Sequence, residues 1–273
     1  EKSGQGENFR LCNFFDYIGG TSTGAIIAAG LAIGKSARFL SDFYKEVGPA
    51  MFEKSFILKR LKHLYKSEPL TEKLQEVYGE DTKLDSDKLK SLLLVVTRNV
   101  TTDSPWPIST NPRAKYNDPN RPDRNTQIPL WQLVRASTAA PVFFPPEVVQ
   151  WDDNDPSKAF LFEDGGLTPY NNPAFLIARM ATYPAYNLGW STGEKKLLGV
   201  NRSSERVLAP DKWVKQVLHV FAATQDGADA VSWTPIANPG TTLVKQVGNF
   251  CVIVYSNSDR RRHLPLQLVI VVR

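Results

Sequence analysis

The sequence predicts an α/β fold with a mostly parallel central sheet, and three stretches carry that expectation. Phe14-Phe15-Asp16-Tyr17-Ile18-Gly19-Gly20-Thr21-Ser22-Thr23-Gly24 runs straight into Ala25-Ile26-Ile27-Ala28-Ala29, a short strand meeting a helix at a sharp turn. Leu92-Leu93-Leu94-Val95-Val96-Thr97 is a continuous apolar run bounded by polar residues, as in a central parallel strand covered on both faces. Ala159-Phe160-Leu161-Phe162 reads as a strand ending in Glu163-Asp164-Gly165-Gly166. In parallel sheets the carboxyl ends of strands are where ligands and catalytic groups collect.

Taken in order, residues 1–7 are polar and glycine-rich and read as the end of a loop. The helix after the turn is expected to reach about Ile33, with Gly34 as its C-cap. Ser36 is placed to cap a second helix through Val47, with Phe39, Leu40, Phe43 and Val47 on its apolar face and Gly48-Pro49 ending it. From Phe52 to Lys66 large apolar residues mix with Lys54, Lys59, Arg60, Lys62 and Lys66. That segment, 52–66, is either a surface for peripheral membrane contact, its cations meeting lipid head groups, or a lid or surface helix with solvated lysines. Ser67-Glu68-Pro69 opens another helix, with Leu70, Leu74 and Val77 on one side.

Thr101 to Thr126 contains Pro105, Pro107, Pro112, Pro119 and Pro122, shows no periodicity, and is expected to be an active-site loop or cover. Ile128 to Ser137 restores a helical pattern, with Leu130, Leu133 and Val134 on one face; Ala139 to Pro146 follows as a tight apolar turn and pocket wall. Asn171-Asn172-Pro173 caps a helix over Ala174 to Met180. Further on, Lys195 to Val200 suggests an edge strand, Lys212 to Thr224 a helix, and Phe250 to Tyr255 and Leu266 to Val272 two more strands. With no repeat or low-complexity linker, residues 1–273 are expected to form a single domain.

Composition narrows the function classes. A chain of 273 residues with 42% apolar and 22% charged content buries one large core. A net charge of +5 without clustering does not indicate a nucleic-acid binder, although it assists docking to an anionic surface. Cys12 and Cys251 make no disulfide scaffold and are expected as free thiols. No stretch is long enough for a membrane span, no signal peptide is visible in a sequence that begins at Glu1 without a methionine, and a cytoplasmic or peripherally membrane-associated location is expected. Asp152, Asp153 and Asp155 lack the glycine and distal glutamate of a calcium loop and are expected to be a solvated turn; no metal or cofactor is expected.

Ser22 sits at the turn's apex with Gly20 and Gly24 two positions to either side. Such a turn presents Oγ at a helix N-terminus, where free N–H groups and the helix dipole favour developing negative charge. A serine needs a base within hydrogen-bond reach to act as a nucleophile. The histidines are His63, in the basic segment and read as a surface or packing residue, His219, in a helix-like setting, and His263, in an arginine-rich turn. One reading is a triad of Ser22, Asp164 and His219 or His263. The other is a direct dyad in which Asp164 takes the proton from Ser22, with strong oxyanion donors offsetting a weak base. Asp164 is also compatible with a plain turn-capping role.

Three elements in order, Asp16 to Gly24, Arg135-Ala136-Ser137-Thr138-Ala139-Ala140-Pro141-Val142-Phe143-Phe144-Pro145-Pro146, and Glu163 to Gly166 with Asn172-Pro173 behind it, resemble the patatin-like phospholipases, a family of lipid acyl hydrolases. The resemblance covers roughly Cys12 to Met180. It implies a three-layer α/β/α fold related to the α/β hydrolases and calcium-independent cleavage of fatty acyl esters, with a phospholipid or lysophospholipid as substrate. It implies Ser22 as nucleophile and Asp164 as its base, with Gly20, Thr21, Thr23 and Gly24 shaping the elbow. The N–H of Thr23 would be an oxyanion donor, and Gly165, Gly166 and Pro141 would support the site. The family's glycine-rich oxyanion loop has no counterpart before the elbow, since Gly4 and Gly6 do not match it, and is expected upstream. Its absence also leaves open a catalytically weak protein that uses the fold to bind lipid or a partner.

Overall fold

The computed structural model describes residues 9–52, 68–141, 143–152, 155–191, 197–203, 220–221, 233–234 and 250–256. Strand β1 (Tyr17–Thr21) leads into helix α1 (Thr23–Ala32), followed by α2 (Ala37–Phe52) and α3 (Glu68–Tyr78) before β2 (Leu92–Asn99). β1 and β2 run parallel, with Tyr17 opposite Leu92 and Thr21 opposite Val96, the geometry that a long helical crossover permits. β3 (Ser104–Ser109) turns straight back along β2, and β4 (Glu147–Gln150) and β5 (Ala159–Asp164) form a second hairpin. β6 (Leu197–Ser203) closes one edge of the seven-stranded sheet by pairing with β9 (Phe250–Ser256), which pairs in turn with β1. β7 (Val220–Phe221) and β8 (Trp233–Thr234) form a separate pair.

The expectation of a mostly parallel sheet is corrected here. Among the described residues only β1–β2 is parallel; β2–β3, β2–β5, β4–β5, β1–β9 and β6–β9 are antiparallel. The physical reason is connection length in the hairpins, because β3 follows β2, and β5 follows β4, after too few residues for a parallel crossover. The α/β class itself holds, with helices on both faces of the sheet. Ile18, Leu93 and Val95 pack with Ile26 of α1, Leu74 of α3 and Leu133 of α4 (Leu130–Ser137), while Tyr17, Leu94 and Val96 face Leu176 and Ile177 of α5 (Ala174–Thr182). Alternate residues of each central strand thus supply the two halves of the core.

The register of β2 positions the functional site. β1 occupies one edge of β2 as far as Val96, and β5 occupies that same edge from Thr97 onward, because β3 spans both ranges and so takes the opposite edge. β5 runs against β1, so their carboxyl ends meet head-on, with Thr21 opposite Val96 and Asp164 opposite Thr97. Residues adjacent on β2 are about 3.3 Å apart along the strand, which brings the two strand ends together.

Local signals explain most elements. Every residue of α1 from Gly24 to Ala32 is buried, as a helix apolar on all sides requires. It ends at Gly34, whose φ of +84° lets its own N–H reach the Leu31 carbonyl (3.0 Å) and that of Lys35 reach the Gly30 carbonyl (2.9 Å). Ser36 caps α2 by accepting the Phe39 N–H at 3.1 Å.

Four expectations change. α2 continues through Gly48-Pro49 to Phe52, where a proline near the helix end removes a single donor. Phe39 is 40% exposed rather than in the core, with the Lys35 ammonium 4.9 Å from its ring centroid. The irregular stretch contains β3, whose prolines at alternate positions leave only the intervening residues to donate to β2 and so confine it to the sheet edge. Val220 and Phe221, expected in a helix, are strand; the rest of 212–224, with 53–67 and 266–272, lies outside the described residues.

Candidate active site

Ser22 occupies a conformation that a side chain rarely tolerates, with φ 56° and ψ −129°. The turn is too tight for larger neighbours, since a Cβ on Gly20 would lie 2.2 Å from the Gly24 carbonyl oxygen. Two hydrogen bonds hold the turn in place: the Ser22 N–H donates to Ser137 Oγ at 2.9 Å, and the Ser137 hydroxyl donates to the Val96 carbonyl at 2.7 Å. Thr21 Oγ1 donates to the Tyr170 carbonyl at 3.0 Å. Thr23 and Gly24 open α1, so their N–H groups have no acceptor within the helix. The Tyr44 hydroxyl fixes this first turn by donating to the Thr23 carbonyl.

Asp164 stands at the facing strand end. Its Oδ2 accepts the Ser22 hydroxyl at 2.5 Å, a length typical of a bond to an ionised acceptor. Its Oδ1 accepts the Gly166 N–H at 2.7 Å, and its own N–H donates to the Ala139 carbonyl at 3.0 Å. Gly165 allows this approach, because a Cβ there would lie 2.1 Å from the Val96 carbonyl oxygen. Ser22 and Asp164 are 8% and 7% exposed, so the pair is shielded from bulk water. Burial pushes the Asp164 carboxyl from its ordinary 3.8 up to about 6, against the downward pull of the bonds from Ser22 and Gly166. The group is therefore ionised at neutral pH yet more basic than an ordinary carboxylate.

Of the sequence-predicted residues, Gly20, Thr21, Ser22, Thr23 and Gly24 form the turn, and Asp164, Gly165 and Gly166 form the facing one. Pro141 lies in the loop after α4, but the backbone contact to Asp164 comes from Ala139. Ser137 and Ala139 were not singled out individually. The available signal is a serine among the buried residues of a helix end, inside the Arg135 to Pro146 stretch that stands out in the sequence. His63, His219 and His263 lie outside the described residues, as does the 53–66 part of the basic segment.

Residues 6–178 match the family described as Patatin-like phospholipase. The chain belongs to the patatin-like phospholipase family. Among curated relatives it is 33% identical over 186 residues to a cGAMP-activated phospholipase of Vibrio cholerae, covering 63% of this chain and 48% of that protein. A cGAMP-activated phospholipase of Escherichia coli is 30% identical over 177 residues, 62% of this chain and 45% of that protein. Patatin group M-3 of Solanum tuberosum is 25% identical over 244 residues, 83% of this chain and 56% of that protein. The chain thus spans about half the length of these relatives. The patatin-like elbow and its facing aspartate both lie within the matched range.

A cavity of about 640 Å³ lies along the β3 edge, away from the elbow; neither Ser22 nor Asp164 lines it. Its wall includes Trp106, Tyr116, Lys115, Asn117, Arg121 and Lys158. Asn117 Oδ1 and Arg121 Nε are buried with no hydrogen-bond partner among the described residues. No described helix is long and apolar enough to cross a membrane.

Proposed function

We propose that the protein hydrolyses fatty acyl esters of phospholipids or lysophospholipids through Ser22 and Asp164. The observation that carries this reading is the buried hydrogen bond from Ser22 Oγ to Asp164 Oδ2, 2.5 Å long, on a strained turn at a helix N-terminus. Asp164 takes the Ser22 proton as Oγ attacks the acyl carbonyl, and the resulting oxyanion lies against the N–H groups that open α1. Asp164 then gives the proton to the departing alkoxide oxygen, leaving an acyl-serine. A water molecule, deprotonated by the same carboxylate, attacks the acyl-serine; Ser22 regains its proton and the fatty acid departs. Phe143 and Leu167, 43% and 55% exposed on the loops that flank the pair, suit a substrate with long acyl chains. The test is release of fatty acid from phosphatidylcholine vesicles, expected from the wild type and at least about a hundredfold weaker for Ser22→Ala and Asp164→Asn. Full turnover by either variant contradicts the pairing.

A second reading concerns control of this activity. Two relatives are named cGAMP-activated phospholipases, and the β3-edge cavity offers aromatic rings beside Lys115, Arg121 and Lys158; Asp123, in the same wall, pairs with Arg121 at 2.8 Å and Lys158 at 3.4 Å, so a nucleotide phosphate would have to take those cations from it. Activation by cGAMP is expected to raise vesicle hydrolysis and to weaken when Lys115 and Arg121 are replaced by alanine. Hydrolysis indifferent to cGAMP contradicts this second reading without touching the first.

A further inference from the structure

Among the described residues Arg135 is the largest fully buried side chain, 0% exposed, and lies on α4 two residues before Ser137. Among the described residues no carboxylate forms an ion pair with it, and its Nε and Nη1 have no acceptor. Glu147, the carboxylate that acts on it electrostatically, is instead held by Gln132, whose Nε2 donates to Glu147 Oε1 at 3.1 Å. A guanidinium buried this way is a poor source of stability, since an apolar side chain of similar size would pack without the loss of hydration.

Its contacts point to a different role. Arg135 Nη2 donates to the Pro145 carbonyl at 3.2 Å, and the guanidinium lies 5.2 Å from the centroid of the Phe144 ring, within cation–π range. Pro145 and Phe144 end the loop that starts at Thr138, and the start is fastened by Thr138 Oγ1 to the Val134 carbonyl at 3.1 Å. One helix end therefore grips both ends of a loop whose Ala139 carbonyl receives the Asp164 N–H at 3.0 Å. The same helix end holds the Ser22 N–H through Ser137. We infer that Arg135 is a positioning residue, closing the 138–145 loop so that Ala139 aims Asp164 at Ser22. The inference rests on the reading of Ser22 and Asp164 as the reacting pair.

The test compares Arg135→Met, Arg135→Lys and Phe144→Leu with the wild type and with Ser22→Ala and Asp164→Asn, using a short-chain soluble ester and thermal unfolding. Arg135→Met is expected to lower kcat at least tenfold with KM within twofold and the unfolding temperature unchanged or raised. Arg135→Lys, which keeps a donor for Pro145 without the planar stack, is expected to recover part of that loss, and Phe144→Leu to show a smaller loss in kcat alone. Wild-type kcat in Arg135→Met, or a loss that follows a fall in unfolding temperature across all three variants, overturns the inference while Ser22→Ala and Asp164→Asn stay inactive. Activity surviving in those two controls overturns instead the pairing on which it rests.

Discussion

At the scale of single residues, the site is a place where stability is given up. The Asp164 carboxyl has an ordinary value of 3.8 and is raised to about 6 in the folded protein, so folding takes up a proton between these values. The stabilisation linked to that proton is complete below about pH 4 and lost as pH rises through 6, a difference of about 3 kcal/mol. Asp164→Asn is therefore expected to unfold at a higher temperature than the wild type at pH 8, with the gap closing by pH 4, as scanning calorimetry would record. In the proposed mechanism catalysis has the opposite sign, because only the ionised carboxylate accepts the Ser22 proton. The kcat/KM of the wild type is expected to rise tenfold per pH unit below 6 and to level off above it. Ser22 carries strain of its own at φ 56°; Ser22→Gly is expected to be about 1 kcal/mol more stable than Ser22→Ala in urea unfolding, although both lack the Ser22 hydroxyl.

At the scale of elements, the site depends on close approach between backbones. Gly165→Ala would place a methyl carbon 2.1 Å from the Val96 carbonyl oxygen and is expected to destabilise the protein by about 1–3 kcal/mol and to abolish hydrolysis. The strand–turn–helix around Ser22 was legible in the sequence because glycine spacing and an apolar run after the turn have few other solutions. The buried strand at Leu92 and the helix caps at Ser36 and Gly34 were legible for similar local reasons. Strand direction was not. The apolar runs of β1, β2 and β5 look alike in sequence, and nothing local to them tells that β5 runs against β2 while β1 runs with it. β3 was hidden by its prolines, which read as loop and act as an edge. Asp164 reaches Ser22 through the head-on meeting of two strand ends, not through the shared end of a parallel sheet that the sequence suggests. Ser137 is not legible in the sequence because it bridges two elements 41 and 115 residues away, which no local pattern encodes.

At the scale of the whole molecule, a buried helix rises directly from the Ser22 turn, and α4 fastens that turn to β2 and, through Ala139, to the end of β5. The two halves of the pair are thus set by the packed core rather than by a single surface loop, and reactivity at Ser22 should persist until the core melts. The measurement that tests the central claim most directly is the mass of the intact protein after brief exposure to a fluorophosphonate, with the modified peptide identified. One adduct on Ser22 is expected in the wild type, none in Ser22→Ala, and labelling at least about tenfold slower in Asp164→Asn. A wild-type protein that stays unmodified, or an Asp164→Asn protein labelled at the wild-type rate, contradicts the account.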